Sequence, residues 1–307
     1  MRIVFMGTPP AAVPSLARLL SDGHDVVAVY TQPDRPSGRG NRLTPPPVKT
    51  FAADAGLPVL QPLKIRTEDA IAEFRSHGAD VAVVVAFGRI LPKSFLGAFR
   101  YGAINVHFSL LPKYRGAAPV NWAIANGESV SGVTTMQMDE GLDTGDILLQ
   151  IEVAIGDDEN AAELMTRLSN VGAELLSETL DRIEEISPRH QDESDATHAP
   201  LMKREDGRID WSRPATEIAN RVRAFQPFPT SFTFFEGKKL TIWKAVATDE
   251  SSAAAPGEVV EASRDLMVAC GGGTVLHVDE LQLEGKRRMS VHDFLNGVRL
   301  SAGDRFS

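Results

Sequence analysis

Residues 78–107 read GADVAVVVAFGRILPKSFLGAFRYGAINVH, and this stretch decides the fold class. Val81 to Phe87 is an unbroken apolar run, and Tyr101 to His107 is a second β-rich run after a stretch of helical character. A strand that is apolar on both alternating faces must be covered above and below, as in a parallel sheet layered with helices. The pattern repeats outward. Arg2–Met6 (RIVFM) leads into a Gly7-Thr8-Pro9-Pro10 turn, a helix over AAVPSLARLLSDG (11–23) and a further apolar run, DVVAVYT (25–31). Strand alternating with helix predicts an α/β domain with a mostly parallel sheet.

Two more runs, VSGVTTMQMD (130–139) and DILLQIEVAI (146–155), lie close together and are expected to extend that sheet as a hairpin. The segment NAAELMTRLSNVGAELLSETLDRIEEI (160–186) places Leu164, Leu168, Val171, Leu175 and Ile183 at helical spacing, so a long amphipathic helix is expected. Ser187-Pro188 ends it, and the polar, turn-rich residues that follow read as a linker. The expected organisation is therefore a domain over 1–187, a linker over 188–206 and a second domain over 207–307. After a helix at 214–225, that second domain carries short strands at 230–235, 239–246, 257–262, 265–270 and 274–283, a spacing that suggests a small β-barrel.

The chain opens with one Arg and an apolar run too short for a signal peptide, and no window reaches the ~20 apolar residues of a membrane span, so a cytoplasmic protein without membrane contact is expected. Cys270 is the only cysteine, which excludes an intrachain disulfide and any multi-cysteine metal site. The net charge of −9 argues against nonspecific nucleic-acid binding, yet thirteen acids against three arginines between residues 150 and 200 supply the whole excess. A basic face elsewhere stays open. The segment 32–49 offers one, with Arg35, Arg39, Arg42 and Lys49 against a single Asp.

The chemistry concentrates in NVHFSLLPKYRGAAP (105–119), straight after the second apolar run. Asn105 and His107, two residues apart on a strand end, project from one face. An amide N–H and an imidazole N–H aimed at one point can hold a developing oxyanion, and the imidazole can exchange a proton near neutral pH. Asp139, Asp143 and Asp146 lie in the turn-rich MDEGLDTGDIL, where Gly141, Thr144 and Gly145 suggest a tight loop able to carry Asp143 inward. Gly7-Thr8-Pro9 lacks the later glycines of a dinucleotide fingerprint and reads as a turn lining a crevice. No His-x-x-His and no P-loop is present, so no metal is expected.

These residues resemble the signature of the 10-formyltetrahydrofolate-dependent formyltransferases, and the likeness runs along nearly the whole chain through GTPPAAVPSL, TQPDRPSGRG, VVVAFGRILP, REDGRIDW, RAFQPFPTSF and IWKA. The RGAAP continuation, the arginine loop and the second domain narrow it to the branch that acts on initiator tRNA. The resemblance implies a Rossmann-like N-terminal domain and a C-terminal barrel of oligonucleotide-binding type. It also implies formyl transfer from 10-formyltetrahydrofolate, as co-substrate, to the α-amine of methionyl initiator tRNA. Asn105, His107 and Asp143 match the catalytic trio. Ser109, Leu110, Leu111 and Pro112 match the segment lining the folate site, with Phe87, Arg89, Ile90 and Leu91 holding the pterin and Asp139 on its other side. Arg39 matches the loop arginine that senses the unpaired acceptor end of the initiator tRNA, and Arg42 is a further candidate tRNA contact.

Lys238, Lys239, Lys244, Arg287 and Arg288 are candidate phosphate contacts, and a monomer is expected. Three departures stand out: Phe108 where the family carries a small residue or proline, Pro10-Ala11 in the first turn, and Gln226 with Phe228 in place of Asn and Trp. The competing readings are folate-dependent transfer to a sugar-nucleotide amine or to glycinamide ribonucleotide, hydrolysis of formyltetrahydrofolate, and a noncatalytic RNA-binding module.

Overall fold

The structure is a computed structural model and describes residues 1–37 and 42–307. It divides into two compact units, one of Met1–Pro119, Val130–Ala154 and Met165–Pro200, the other of Val120–Ser129, Ile155–Leu164 and Leu201–Ser307.

In the first unit the chain runs β1 (Arg2–Gly7), α1 (Val13–Ser21), β2 (Asp25–Tyr30), the short β3 (Arg35–Ser37) and β4 (Arg42–Thr44), then α2 (Pro47–Asp54) and β5 (Val59–Leu60). It continues through α3 (Glu68–Ser76), β6 (Val81–Val85), α4 (Lys93–Leu96), β7 (Ala103–His107) and β8 (Arg115–Gly116). Helix α5 (Pro119–Ala125) belongs to the second unit from Val120 on, and the first resumes with β9 (Val130–Gln137), β10 (Ile147–Ala154), the part of α6 (Ala161–Asp181) from Met165 on, and β11 (His198–Ala199). Seven strands form one sheet in the order β10-β9-β7-β6-β1-β2-β5. The five from β7 to β5 are parallel, and the β9–β10 hairpin joins antiparallel beside β7, as the spacing of the apolar runs suggested.

From β1 the chain builds outward to β2 and β5, then returns to add β6 and β7 on the other side. That reversal leaves a crevice at the carboxyl ends of β1 and β6, where open α/β sheets bind ligands. Val4, Met6, Ala28, Tyr30, Ala82, Val84 and Ala103 face one side and pack with Phe74, Phe95 and Phe99. Phe74 lies edge-on to Phe95 with centroids 4.5 Å apart, and burial of such a ring contributes about 2–3 kcal/mol. Helix α6 lies on the opposite face. A Cβ placed on Gly172 would meet Val106 Cγ1 at 2.9 Å and Phe108 Cε1 at 3.5 Å. The unusual Phe108 is therefore buried under α6, on the face away from Asn105 and His107. The helix expected to reach Ile186 stops at Asp181, where Arg182 O accepts from Glu185 N at 2.8 Å in a tighter turn.

The second unit holds α7 (Ala215–Ala224), β12 (Ser231–Phe235), β13 (Lys238–Ser251), β14 (Val259–Glu261), β15 (Leu266–Ala269), β16 (Thr274–Leu283), β17 (Met289–Ser290) and α8 (Val291–Gly297). Its sheet is antiparallel, in the order β12-β13-β16-β15-β14 with β17 on β16. Among the described residues no ladder joins β12 to β14, so the closed barrel suggested by strand spacing is an open sheet. Residues 303–307 occupy the gap instead. Val259 N donates to Asp304 O (2.8 Å) and Phe306 N to Gly257 O (2.9 Å), while Ser307 exchanges two hydrogen bonds with Phe234 (3.0 and 3.1 Å). Phe306 is buried between Trp211 and Phe235. Gly303-Asp304-Arg305 has no strand pattern, which is why alternation alone could not find this segment.

Candidate active site

Strand β7 delivers Asn105 and His107 from one face because strand side chains alternate, and both side chains are buried. The β9–β10 connection lies against that face and carries Asp143. Its Oδ1 is 3.5 Å from Asn105 Nδ2, and its Oδ2 is 3.7 Å from His107 Nδ1. Gly116 N donates to the same Oδ2 at 2.9 Å. His107 Nε2 lies 3.0 Å from Tyr114 O. Donation to that carbonyl leaves Nδ1 unprotonated in the neutral ring, opposite a carboxylate. At 3.7 Å the ring and the carboxylate are in ion-pair range rather than hydrogen-bonded, close enough for Asp143 to orient the imidazole. Asp143 itself is held at φ 56°, a left-handed conformation that Asp visits more readily than most non-glycine residues.

The turn after β7 is fixed by Ser109 together with two groups that the sequence did not single out, Thr134 and Gln150. Ser109 Oγ donates to Lys113 O at 2.6 Å. Thr134 Oγ1, on β9, donates to Ser109 O at 2.6 Å and accepts from Leu111 N at 3.1 Å. Gln150, on β10, donates to Leu111 O at 2.8 Å. Leu111 is buried, Leu110 and Pro112 are half-buried, and the Leu111–Pro112 peptide is cis. Thr134 and Gln150 stand among other polar residues of their strands, Ser131, Thr135 and Gln137 on β9 and Glu152 on β10, so nothing in the sequence marks them out.

At the crevice beside β6, Phe87 and Leu91 turn into the core and Ile90 is 60% exposed. The Phe87 carbonyl, not its ring, gathers polar partners: Gln32 Nε2 at 3.0 Å and Thr8 Oγ1 at 3.4 Å. Arg89 donates to Gln32 Oε1 (3.2 Å) and to Pro62 O (2.9 Å). Lys49 joins Asp34 and Gln61 at 2.8 Å, and its ammonium, with Gln61, holds the Asp34 carboxyl below its ordinary range. Asp139 accepts from Thr144 Oγ1 (2.7 Å) and Gly141 N (3.0 Å), so it braces the loop that carries Asp143.

Of the basic candidates, Arg39 lies outside the described residues, and Arg42 is exposed on β4. Lys238, Lys244, Arg287 and Arg288 are exposed on the second unit; Arg288 pairs with Glu280, and Lys239 Nζ sits 4.2 Å above the Phe232 ring. A bulge between Ile242 and Ala245 lets half-buried Trp243 and exposed Lys244 follow each other outward. Gln226 donates to Val222 O (3.0 Å) and Trp243 O (2.7 Å), while Phe228 is 50% exposed. Burial pushes the Cys270 thiol up to about 12, which makes it no nucleophile. Among the described residues no group of three or more His, Cys, Asp or Glu could hold a metal, and no helix is long and apolar enough to cross a membrane.

Residues 1–180 match the model of the formyl transferase family, and residues 201–299 match that of the formyl transferase C-terminal domain. The chain belongs to the formyltransferase family. Among curated relatives, this formyltransferase is 50% identical over 308 residues to a methionyl-tRNA formyltransferase of Geobacter metallireducens, covering 99% of this chain and 98% of the relative. It is 53% identical over 306 residues to one of Citrifermentans bemidjiense, covering 99% and 95%. A solved sugar 3N-formyl transferase, in the presence of dTDP and 5-N-formyl-THF, shares the fold with a TM-score of 0.68 at 20% identity, over 94% of this chain and 99% of that one. The formyltransferase thus combines a parallel α/β unit and an antiparallel sheet unit in a single chain.

Proposed function

We propose that this formyltransferase transfers the formyl group of 10-formyltetrahydrofolate to the α-amine of methionyl initiator tRNA, giving N-formylmethionyl-tRNA for translation initiation. The observation that carries the reading is the Asn105–His107–Asp143 cluster at the end of β7, in a chain about half identical to full-length methionyl-tRNA formyltransferases. As a translation enzyme it would act in the cytoplasm, as a monomer.

The amine nitrogen attacks the formyl carbon, and a tetrahedral intermediate forms with a negative oxygen and a positive nitrogen. Asn105 Nδ2 donates to that oxygen. His107 donates its Nε2–H to the same oxygen, exchanging Tyr114 O for it. Asp143 takes the proton from the attacking nitrogen, directly or through water. The bond from carbon to N10 then breaks, N10 takes up the proton that Asp143 accepted, and the formyl group stays on the amine. No enzyme-bound covalent intermediate arises, so catalysis rests on positioning and electrostatics.

The folate would lie along Ser109–Pro112, the crevice at Phe87–Leu91 and the loop braced by Asp139. Residues 1–187 would form the catalytic domain and 188–206 the connection to the second, the part of it up to Pro200 packed within the first compact unit. Residues 207–307 would form a tRNA-binding domain of oligonucleotide-binding type, its sheet rounded off by the terminal segment at 303–307. Arg39, Arg42, Lys238, Lys239, Lys244, Arg287 and Arg288 would meet phosphates.

Single-turnover transfer of labelled formyl to methionyl initiator tRNA, methionyl elongator tRNA and glycinamide ribonucleotide tests the reading. Label is expected on the initiator alone; label on a small amine, or released as formate, overturns it. Phosphate docking predicts that log affinity for the tRNA falls linearly with log salt, with a slope that shrinks by about one for each lysine or arginine replaced that truly meets a phosphate. Lys244→Ala and Arg287→Ala give the comparison, and an unchanged slope in both removes these residues from the contact.

A further inference from the structure

Residues 189–199 run along the first unit and brace both loops of the catalytic cluster. Arg189 and Ile147 exchange hydrogen bonds of 2.8 Å through their backbones, and Thr197 O and Oγ1 each accept at 2.8 Å, from Arg115 N and Tyr114 N. His198 and Ala199 form the β11 ladder with Arg115 and Gly116 of β8. At the centre lies Gln191, 1% exposed. Its Nε2 donates to Asp143 O at 2.9 Å and to Gly145 O at 2.7 Å. Its Oε1 accepts from Arg115 Nε at 3.0 Å. Arg115, 2% exposed, sends its two other nitrogens to Glu193, each at 2.9 Å.

Every polar atom of the Gln191 side chain is therefore used, and each bond constrains the cluster. Two donors from one amide pinch the carbonyls on either side of Thr144, which fixes the backbone that holds Asp143 in its left-handed conformation. The acceptor ties that pinch to Arg115, the residue before Gly116, whose N–H holds Asp143 Oδ2. A buried guanidinium needs a paired charge to be tolerated, and Glu193 supplies one from the surface; Arg115 in turn holds the Glu193 carboxyl below its ordinary range.

We propose that Gln191 is a positioning residue for Asp143, held in register by the buried Arg115–Glu193 pair, so that this polar segment is part of the catalytic apparatus. The inference rests on the assignment of Asp143 as the proton acceptor. Gln191 meets neither substrate. It sets where the Asp143 carboxylate stands between Asn105, His107 and Gly116.

Gln191→Met keeps the volume and burial of the side chain and removes all three bonds. The expected result is a kcat lower by about tenfold to a hundredfold, the range for a small misplacement of a reacting group. KM for both substrates should stay within about twofold, and the limb of the kcat–pH profile that reports Asp143 should move. Gln191→Glu, which keeps an acceptor for Arg115 and loses both donors, should show the same split; it carries the test if the Met variant does not fold. A kcat within twofold of the parent, or a loss matched by a rise in KM with the pH limb in place, overturns the proposal. Asp143→Asn is measured alongside. Full activity in that variant removes the underlying assignment together with the proposal, whereas an inactive Asp143→Asn beside a fully active Gln191→Met removes the proposal alone.

Discussion

Asp143→Asn is expected to lower kcat about a thousandfold with the fold intact, the scale at which a positioned acid–base group or an oxyanion donor acts. The substitution is nearly isosteric. An amide oxygen placed where Oδ2 stands still accepts the hydrogen bond of Gly116, so the loop keeps its anchor. What is lost is the negative charge beside His107 and the site for a proton. The amine would then expel its proton to bulk water from a buried intermediate, and no carboxylate would orient the imidazole. His107→Ala removes the other half of the pair and should fall to a similar level. The two losses should not add, because Asp143 acts in part by orienting His107. Single-turnover rates at saturating donor, read beside circular dichroism and the thermal midpoint, make the check. A residual rate within tenfold of the parent in either variant would remove the trio from the chemistry.

Gly145→Ala should be nearly as damaging, for a steric reason. A Cβ at this position would lie 1.8 Å from Gln137 O and 3.2 Å from Asp139 N. Both obstacles are backbone, and Gln137 N is itself tied to Asp146 O at 2.8 Å across the neck of the loop, so neither yields without opening it. Gly145 O also accepts from Gln191. A methyl group therefore forces the whole 138–146 connection outward and takes Asp143 with it. A drop of about a hundredfold in kcat is expected, as a displacement near 1 Å is enough for that, with stability lower by about 1–3 kcal/mol from overpacking. The measurements are kcat and urea unfolding on the same preparation. Wild-type turnover in this variant would mean that the loop relaxes elsewhere and that its backbone position does not govern Asp143.

Much of this was legible in the chain. Apolar runs at 25–31, 81–87 and 101–107, short and rich in β-branched residues, read as buried strands, and the i, i+2 spacing of Asn105 and His107 put them on one face. The pair of runs at 130–139 and 146–155 signalled a hairpin. Three features were hidden, each because the deciding partner is distant. Residues 189–199 are polar and turn-rich, as a linker would be, and only the position of Arg115, 76 residues earlier, reveals that Gln191 is buried against it. Phe87 carries the same letter whether its ring faces a ligand or the core; the aromatic cluster of Phe74, Phe95 and Phe99 claims it. The bulge that turns Lys244 outward leaves no mark in the alternation pattern of β13.

The notch at Gly172 links two places in the chain that sequence distance separates. Val106 Cγ1 holds the space that a side chain on α6 would need, 2.9 Å from a Cβ placed there, while Phe108 Cε1 packs at an ordinary contact distance of 3.5 Å. The bare position on the helix therefore serves the strand end: it lets α6 settle on Val106, the residue between Asn105 and His107, and a methyl group there would push against the strand from which both side chains leave. Phe108 is buried on that same covered face, away from Asn105 and His107.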